Sequence, residues 1–216
     1  MGWIPQGWEA QPISSHVQLQ RGKTYKSKLK GEPGPYLLGL GSIGRNGGFR
    51  SDKLMTYGGD NPENLLVYPG DLFVSLKDVT QAANLLGAVA RVPTSIAVGR
   101  MTQDTVKLVF EDDSVSRNIL YRTLMTPRYR GFCRGHATGT TNLGLAREDF
   151  LGYPVIVPPE EIQNNFDGFM ADSEGQIDRN ERECISLTKL RDTLLPKLLS
   201  GELRIPDAEK LVAGSL

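Results

Sequence analysis

Histidine and cysteine are scarce in this chain, with two of each in 216 residues. Cys133 and Cys184 fall in segments of different character and make no metal-ligand spacing, which suits a reduced, cytosolic protein. His16 lies in a strand-like run and reads as a satisfied structural residue. His136 lies in Arg134-Gly135-His136-Ala137-Thr138-Gly139-Thr140-Thr141, read as a loop. Neither histidine has cysteine or carboxylate neighbours at zinc spacing, and a nucleophile paired with one of them would have to be assembled by folding alone. Long apolar runs are missing too: no stretch approaches a membrane span, and the opening MGWIPQGWEA lacks the basic and apolar regions of a signal peptide. The expectation is a soluble, cytoplasmic protein without membrane contact.

Phosphate-loop spacing is also absent. Gly39, Gly41 and Gly44 in YLLGLGSIGRNGGF do spell G-x-G-x-x-G, but that spacing grips a pyrophosphate only where a strand enters the turn and a helix leaves it. Here the turn is followed by Arg45-Asn46-Gly47-Gly48, and no helical apolar spacing appears before Leu54. The glycines read as a connection between strands. Asp71 followed by Lys77 suggests a metal-dependent nuclease, yet Ser75 stands where the second carboxylate belongs. No catalytic residue, metal site or cofactor is assigned, which leaves a protein that binds rather than reacts.

Net charge is zero, but it is unevenly spread. Residues 1–158 hold 18 Lys/Arg against 13 Asp/Glu, and residues 159–216 hold 7 against 12, so the two parts differ in sign. A nucleic-acid-facing domain joined to a protein-facing segment has this pattern.

What is present falls into two textures. Up to about Pro158 the chain consists of short apolar runs between Gly, Pro, Asn and Asp: HVQLQRG, PYLLGLG, NLLVYPG, DLFVSL, GAVARVP, SIAVGRM, TVKLVF and YPVIVPP. Runs of this length predict strands. Asp113 to Arg128 differs, with Val115, Ile119, Leu120 and Leu124 at helical spacing and Pro127 as a stop. From Glu160 to Leu195 there is no proline, and apolar or small residues recur in steps of three and four at Ile162, Phe166, Phe169, Ser173, Ile177, Asn180, Cys184, Leu187, Leu190 and Leu194. One amphipathic helix of roughly 54 Å follows. Its stripe needs a partner, either a second helix or the β-rich part of the same chain. A lone polar Asn180 in the seam would fix the register of a coiled coil. Pro196 is expected to kink or end the helix and Gly201 to close it.

The loops carry a consistent chemistry. Lys23, Lys26, Lys28 and Lys30 precede the glycine-rich stretch, Arg45, Asn46, Arg50 and Lys53 follow it, and Arg128, Arg130, Arg134 and His136 lead into Thr138, Thr140, Thr141 and Asn142. Arginine suits guanine edges and asparagine adenine, while Lys and Thr suit phosphates. The same residues also suit an ordinary solvated surface. The candidate DNA-binding set is Lys23, Lys26, Arg45, Asn46, Arg50, Lys77, Arg130, Arg134, His136, Thr138, Thr140, Thr141 and Asn142. The candidate dimerisation set is Phe166, Phe169, Ile177, Asn180, Cys184, Leu187, Leu190 and Leu194.

Several segments together resemble the specificity (S) subunit of type I restriction-modification systems. IPQGWEAQPISSHVQLQRGKTY (residues 4–25) resembles the opening of a target recognition domain, and YLLGLGSIGRNGGF the segment after it. YPGDLFVS (68–75) resembles the family's Gly-Asp-apolar strand, and ATGTTNLGLAREDFLGYPVIVPP (137–159) its closing segment. LRDTLLPKLLSGELRI (190–205) is the most specific match.

The resemblance implies an α+β fold: a β-rich target recognition domain over 1–158, a long helix over 159–200 forming an antiparallel coiled coil, and a short polar tail over 201–216. It implies a non-catalytic subunit that reads double-stranded DNA and holds the modification (methyltransferase) subunits, with the restriction subunit as an optional further partner. S-adenosylmethionine then belongs on the modification subunit. A usual S subunit resembles two such domains and two helices, whereas this chain has one of each, so a homodimer through the helix or a piece of a longer protein is expected. The rival is a non-catalytic dimeric scaffold whose β domain binds protein.

Overall fold

In the computed structural model, which describes residues 4–202, 204 and 206, the chain divides into two compact units, 1–167 and 168–216. The first is built on a four-stranded antiparallel sheet in the order β2 (Val17–Arg21), β9 (Val106–Phe110), β5 (Leu72–Val74), β7 (Val89–Arg91). Beside it lies a three-stranded sheet in which β8 (Gly99–Met101) runs parallel to β3 (Tyr36–Leu38) and antiparallel to β4 (Leu66–Val67). Two further pairs close the unit. β1 (Glu9–Pro12) runs antiparallel to β11 (Pro154–Val157), and β6 (Lys77–Asp78) antiparallel to β10 (Leu143–Gly144).

The strand sequences follow from which faces are covered. On β9 the alternation Val106, Leu108, Phe110 against Lys107, Val109 marks a strand buried on one side. β5 reads Leu-Phe-Val without alternation because both its faces are buried. Leu72 and Val74 join a core with Leu108, Leu120, Leu124, Tyr129 and Phe150. Phe73 points the other way, into a second core with Leu38, Ile43, Val67, Ala90 and Met101. Each such fully buried side chain contributes about 1.5–3 kcal/mol.

The helix expected within 113–128 is present and ends before Pro127 as expected, and a second helix begins at that proline. α1 (Arg117–Met125) is capped by Ser116, whose side chain accepts from the N–H of Asn118 and of Ile119. α2 (Pro127–Gly135) starts at the residue expected to be a stop. The physical reason is position: proline at the first helical residue has a φ that suits the helix and no N–H to lose, and Thr126 caps by accepting from Tyr129 N–H. Arg130 and Arg134 are therefore helical residues rather than loop residues. A third short helix, α3 (Arg147–Gly152), was not foreseen.

α4 (Glu160–Leu199) begins in the first unit and runs on through the second. Its first turns are tied down, since Gln163 Oε1 accepts from Ser116 N–H at 2.7 Å and Gln163 Nε2 donates to the Pro158 carbonyl at 2.9 Å. Asp167 accepts from the Ser116 hydroxyl and from Asn118 Nδ2. The helix does not stop at Pro196 but runs on to Leu199, at the cost of one N–H bond in its last turn, and Gly201 follows at φ 75°. The tail expected over 201–216 lies outside the described residues apart from 201, 202, 204 and 206. No helix among the described residues is long and apolar enough to cross a membrane.

The long connection after β6 is closed by a single carboxylate. Asp78 is 1% exposed, and its oxygens accept from Thr80 N–H and Oγ1 and from Leu85 N–H, at 2.7–2.9 Å. Burial opposes its ionisation, but these donors outweigh that and hold the carboxyl below its usual range. Its stabilisation is therefore complete above the unfolded carboxylate value, near 3.9, and is lost as pH falls through the lower folded value. Asp78→Ala is expected to lower stability by about 1–3 kcal/mol at neutral pH. The gap between variant and parent should shrink in acid, as urea denaturation at about pH 7 and about pH 3 will show.

Candidate nucleic-acid interface

The glycine-rich stretch leaves β3 and makes one turn of 3-10 helix, Leu40–Ser42, and no α-helix follows it, so the dinucleotide geometry is not formed. Two of the three G-x-G-x-x-G glycines answer to crowding, while Gly41 faces open space. A Cβ on Gly39 would sit 2.9 Å from Thr102 Oγ1, and one on Gly44 2.6 Å from the Gly47 carbonyl oxygen. Beside this turn lies a cavity of about 420 Å³ edged by Lys30, Lys53, Ser27 and Gln103. A neighbouring cavity of about 430 Å³ is edged by Leu40, Lys77, Thr138 and Asn142, and a third of about 220 Å³ by Arg21, Lys77 and Arg147. All three share Asp104, so they adjoin around that residue as a grooved surface with lysines and arginines along its edges. Lys77 Nζ is 4.0 Å from Asp104 and both remain partly exposed, a pair of little energetic weight.

Of the expected site residues, Lys77, Thr138 and Asn142 meet in this groove. Lys23 and Lys26 are exposed on the segment leading to it, with Lys26 N–H donating to the Tyr57 hydroxyl. Thr140 and Thr141 are exposed beyond the groove, and the Thr140 carbonyl accepts from Gln81 Nε2 at 2.9 Å. Arg45 and Asn46 are exposed on the loop after the glycine turn, and Arg134 Nη2 donates to Asn46 Oδ1 at 3.1 Å across 88 residues of sequence. His136 stacks on Phe132 with ring centroids 3.9 Å apart, its Nδ1 2.9 Å from the Phe132 carbonyl oxygen. Arg50 is held in a two-pronged pair with Asp52, at 3.0 and 2.7 Å, and the Arg50 hydrogen bond lowers the Asp52 pKa. That arginine's charge is locally compensated.

Arg130 does not belong to the set. It is 3% exposed, and its guanidinium donates to the carbonyls of Leu86, Ala83 and Asn84. An arginine three residues on from Pro127 looks solvated in sequence, but α2 turns this position inward. His16 is buried as expected, with Nδ1 2.8 Å from Ser114 Oγ, but Nε2 has no partner among the described residues. Burial lowers its pKa, with Asp112 opposing. Asp71, the remnant of the nuclease reading, is committed to a 2.6 Å ion pair with Lys107 and accepts from Tyr68 N–H.

Sequence reasoning missed Arg21, Gln103 and Arg147 on the groove, and Arg100 beneath it. Arg100 is 4% exposed, donates to the carbonyls of Asp60, Lys23 and Thr24, and lies 4.9 Å from the centroid of the Tyr57 ring. The available signal was one arginine inside the apolar run SIAVGRM. Among the described residues no group of three or more His, Cys, Asp or Glu could hold a metal ion.

On the α4 stripe, Phe169, Ile177 and Leu187 are exposed, Phe169 at 67%, while Phe166, Leu190 and Leu194 are half-buried. Asn180 accepts from Gln176 Nε2 at 2.9 Å on its own helix, and Cys184 is an exposed free thiol.

The fold is thus an α+β domain with a basic grooved surface, continued by a long helix with apolar residues in solvent. No family model matches the chain. Its sequence is 26% identical over 206 residues, 93% of this chain, to the specificity subunit of the type I restriction enzyme HindI of Haemophilus influenzae. It is 36% identical over 69 residues to the MjaIX specificity subunit of Methanocaldococcus jannaschii, a match covering 32% of this chain. The chain spans 42% and 16% of these relatives. Among solved structures, the type I S subunit from M. genitalium superposes with a TM-score of 0.65 at 16% identity, covering 89% of this chain and 46% of that one. The HsdS subunit from Thermoanaerobacter tengcongensis gives 0.54 at 16% identity, covering 94% and 47%. This chain is homologous to the specificity subunits of type I restriction enzymes, at half their size.

Arg130→Met keeps the length of the side chain and removes its donors, leaving the buried Ala83 and Leu86 carbonyls without this partner while the Asn84 carbonyl keeps the Asn46 N–H. Stability is expected to fall by on the order of 3 kcal/mol. The exposed Arg128→Met should change it by no more than about 0.5 kcal/mol. Denaturant midpoints of both variants against the parent provide the check.

Proposed function

We propose that the chain is the DNA-reading subunit of a type I restriction-modification complex, recognising one half-site and holding modification subunits that perform the chemistry. The observation that carries this reading is the groove. Lysines, arginines, Thr and Asn from segments as far apart as Arg21 and Arg147 edge three adjoining cavities on a double-cored β scaffold. Cationic and amide side chains on pinned loops can neutralise phosphates and reach base edges together. The homology to specificity subunits supports the same conclusion.

Recognition in this reading belongs to residues 1–158 and assembly to the helix over 159–200. DNA affinity is expected to fall steeply with salt, because each neutralised phosphate releases counterions. It should rise when a cognate modification subunit is added, and methyl transfer should appear only in the mixture with S-adenosylmethionine. Fluorescence titrations across a salt series measure the first, and co-purification with a methylation assay the second. A contact with another protein through the groove, the scaffold reading, would show little salt dependence and no motif.

The helix supports a homodimer. Phe169, Ile177 and Leu187 expose apolar surface that a two-fold partner helix would cover. Two identical domains related by a two-fold read inverted half-sites, so the target is an interrupted palindrome. Light scattering at micromolar concentration should report a dimer for the parent. Leu187→Asp combined with Leu194→Asp should give a monomer, by placing charges in the seam. A monomeric parent, alone and with the modification subunit, would remove the half-subunit arrangement.

A further inference from the structure

Arg130 and Arg134 are four residues apart on α2, so they lie on one side of it, one above the other. The inner one fixes a loop. Arg130 Nη2 donates to the Asn84 carbonyl at 2.8 Å. That carbonyl also accepts the backbone N–H of Asn46, again at 2.8 Å. Asn46 has φ 67°, a left-handed conformation that asparagine tolerates better than most residues. The next residue, Gly47, has no room for a side chain, because a Cβ there would lie 2.3 Å from Met125 Sδ. Gly48 N–H is tied to the Val89 carbonyl at 2.8 Å. Asn46 is therefore held from both sides, and its Oδ1 receives Arg134 Nη2 at 3.1 Å. The circuit closes through α2: the buried arginine sets the loop, and the loop aims the exposed arginine.

The chemistry of the exposed end is one-sided. A guanidinium has only donors, so with one N–H spent on Asn46 Oδ1 the remaining N–H groups of Arg134, flanked by the Nδ2 amide of Asn46, are left for a ligand. The orienting partner is neutral, so the guanidinium keeps its charge. A donor-only array with a planar fork fits a base edge that offers two acceptors. Guanine does so through N7 and O6 in the major groove, whereas adenine and cytosine each present an amino donor there.

Resting on the DNA-reading function proposed above, the geometry points to Arg134 as the residue that reads a guanine in the target and to Asn46 as its positioning residue. Selection of bound duplexes from a random pool, by the full chain with its modification subunit, tests this on the parent and on Arg134→Ala, Arg134→Lys, Asn46→Ala and Asn46→Asp. Both positions are exposed, and melting temperatures will verify that the fold is kept. The parent motif should contain a guanine whose enrichment collapses in Arg134→Ala, with a roughly ten- to hundred-fold loss on the parent site and unchanged preferences elsewhere. Arg134→Lys keeps the charge but not the fork, so the guanine preference should fall while the salt slope holds. Asn46→Ala should weaken the same position by a smaller factor. Asn46→Asp should cost more, by pairing the arginine with a carboxylate. A uniform loss at all positions in Arg134→Ala, with the salt slope reduced by about one, would mean a phosphate contact and overturn the assignment. So would an unchanged motif in that variant. A parent pool with no enriched motif would instead bring down the DNA-reading proposal, and this inference with it.

Discussion

A guanidinium taken out of water must find carbonyl oxygens, and the loops of this domain are arranged around two that do. Arg130 collects the carbonyls of residues 83, 84 and 86, while Arg100 collects those of 23, 24 and 60. Neither has a carboxylate among these partners, so the terminal nitrogens of each are met by backbone carbonyl dipoles instead. Segments that would otherwise be solvated and mobile are thereby given fixed places. The same economy recurs at Asp78, whose carboxylate gathers the amides of Thr80 and Leu85, and at the half-buried Lys107–Asp71 pair beside Tyr68. The polar groups inside this domain hold loops, and the apolar groups hold the sheets.

This division explains why a surface made largely of irregular chain can act as a rigid one. A recognition loop that is ordered before binding loses less conformational entropy on contact than one ordered by it. The strand pairs at the periphery contribute in the same way, since the two-residue β6–β10 pair brings Lys77 beside Gly144 and so sets the groove's width at one point.

Much of the scaffold was legible in the sequence because apolar patterning reports burial directly. The eight apolar runs each became a strand, including Leu72–Val74, whose unbroken character correctly reports burial on both faces. The long helix was legible from its spacing and its lack of proline. What escaped was decided by partners distant in the chain. Arg130 and Arg134 look alike in sequence, and only the position of the 83–86 loop makes one buried and the other exposed. Arg21 and Arg147 carry no local signal, because they become neighbours of the groove only through the packing of elements more than a hundred residues apart. Pro127 does end the helix before it, as its spacing suggested, but the same proline also opens α2, which its fixed φ suits and which no local pattern announced.

The pairing of β1 with β11 sets Glu9 opposite Val157, so the chain enters and leaves the globular unit through one short seam. Everything between those strands is a closed excursion from a fixed pair of posts. Loops inside it can lengthen, shorten or change composition without altering where Glu160 starts the helix or which way the chain arrives there. Only the turn at Ser116 and Asn118, which holds the first turns of that helix through Gln163 and Asp167, reaches across from inside the excursion, so a change there is felt where changes in the other loops are not.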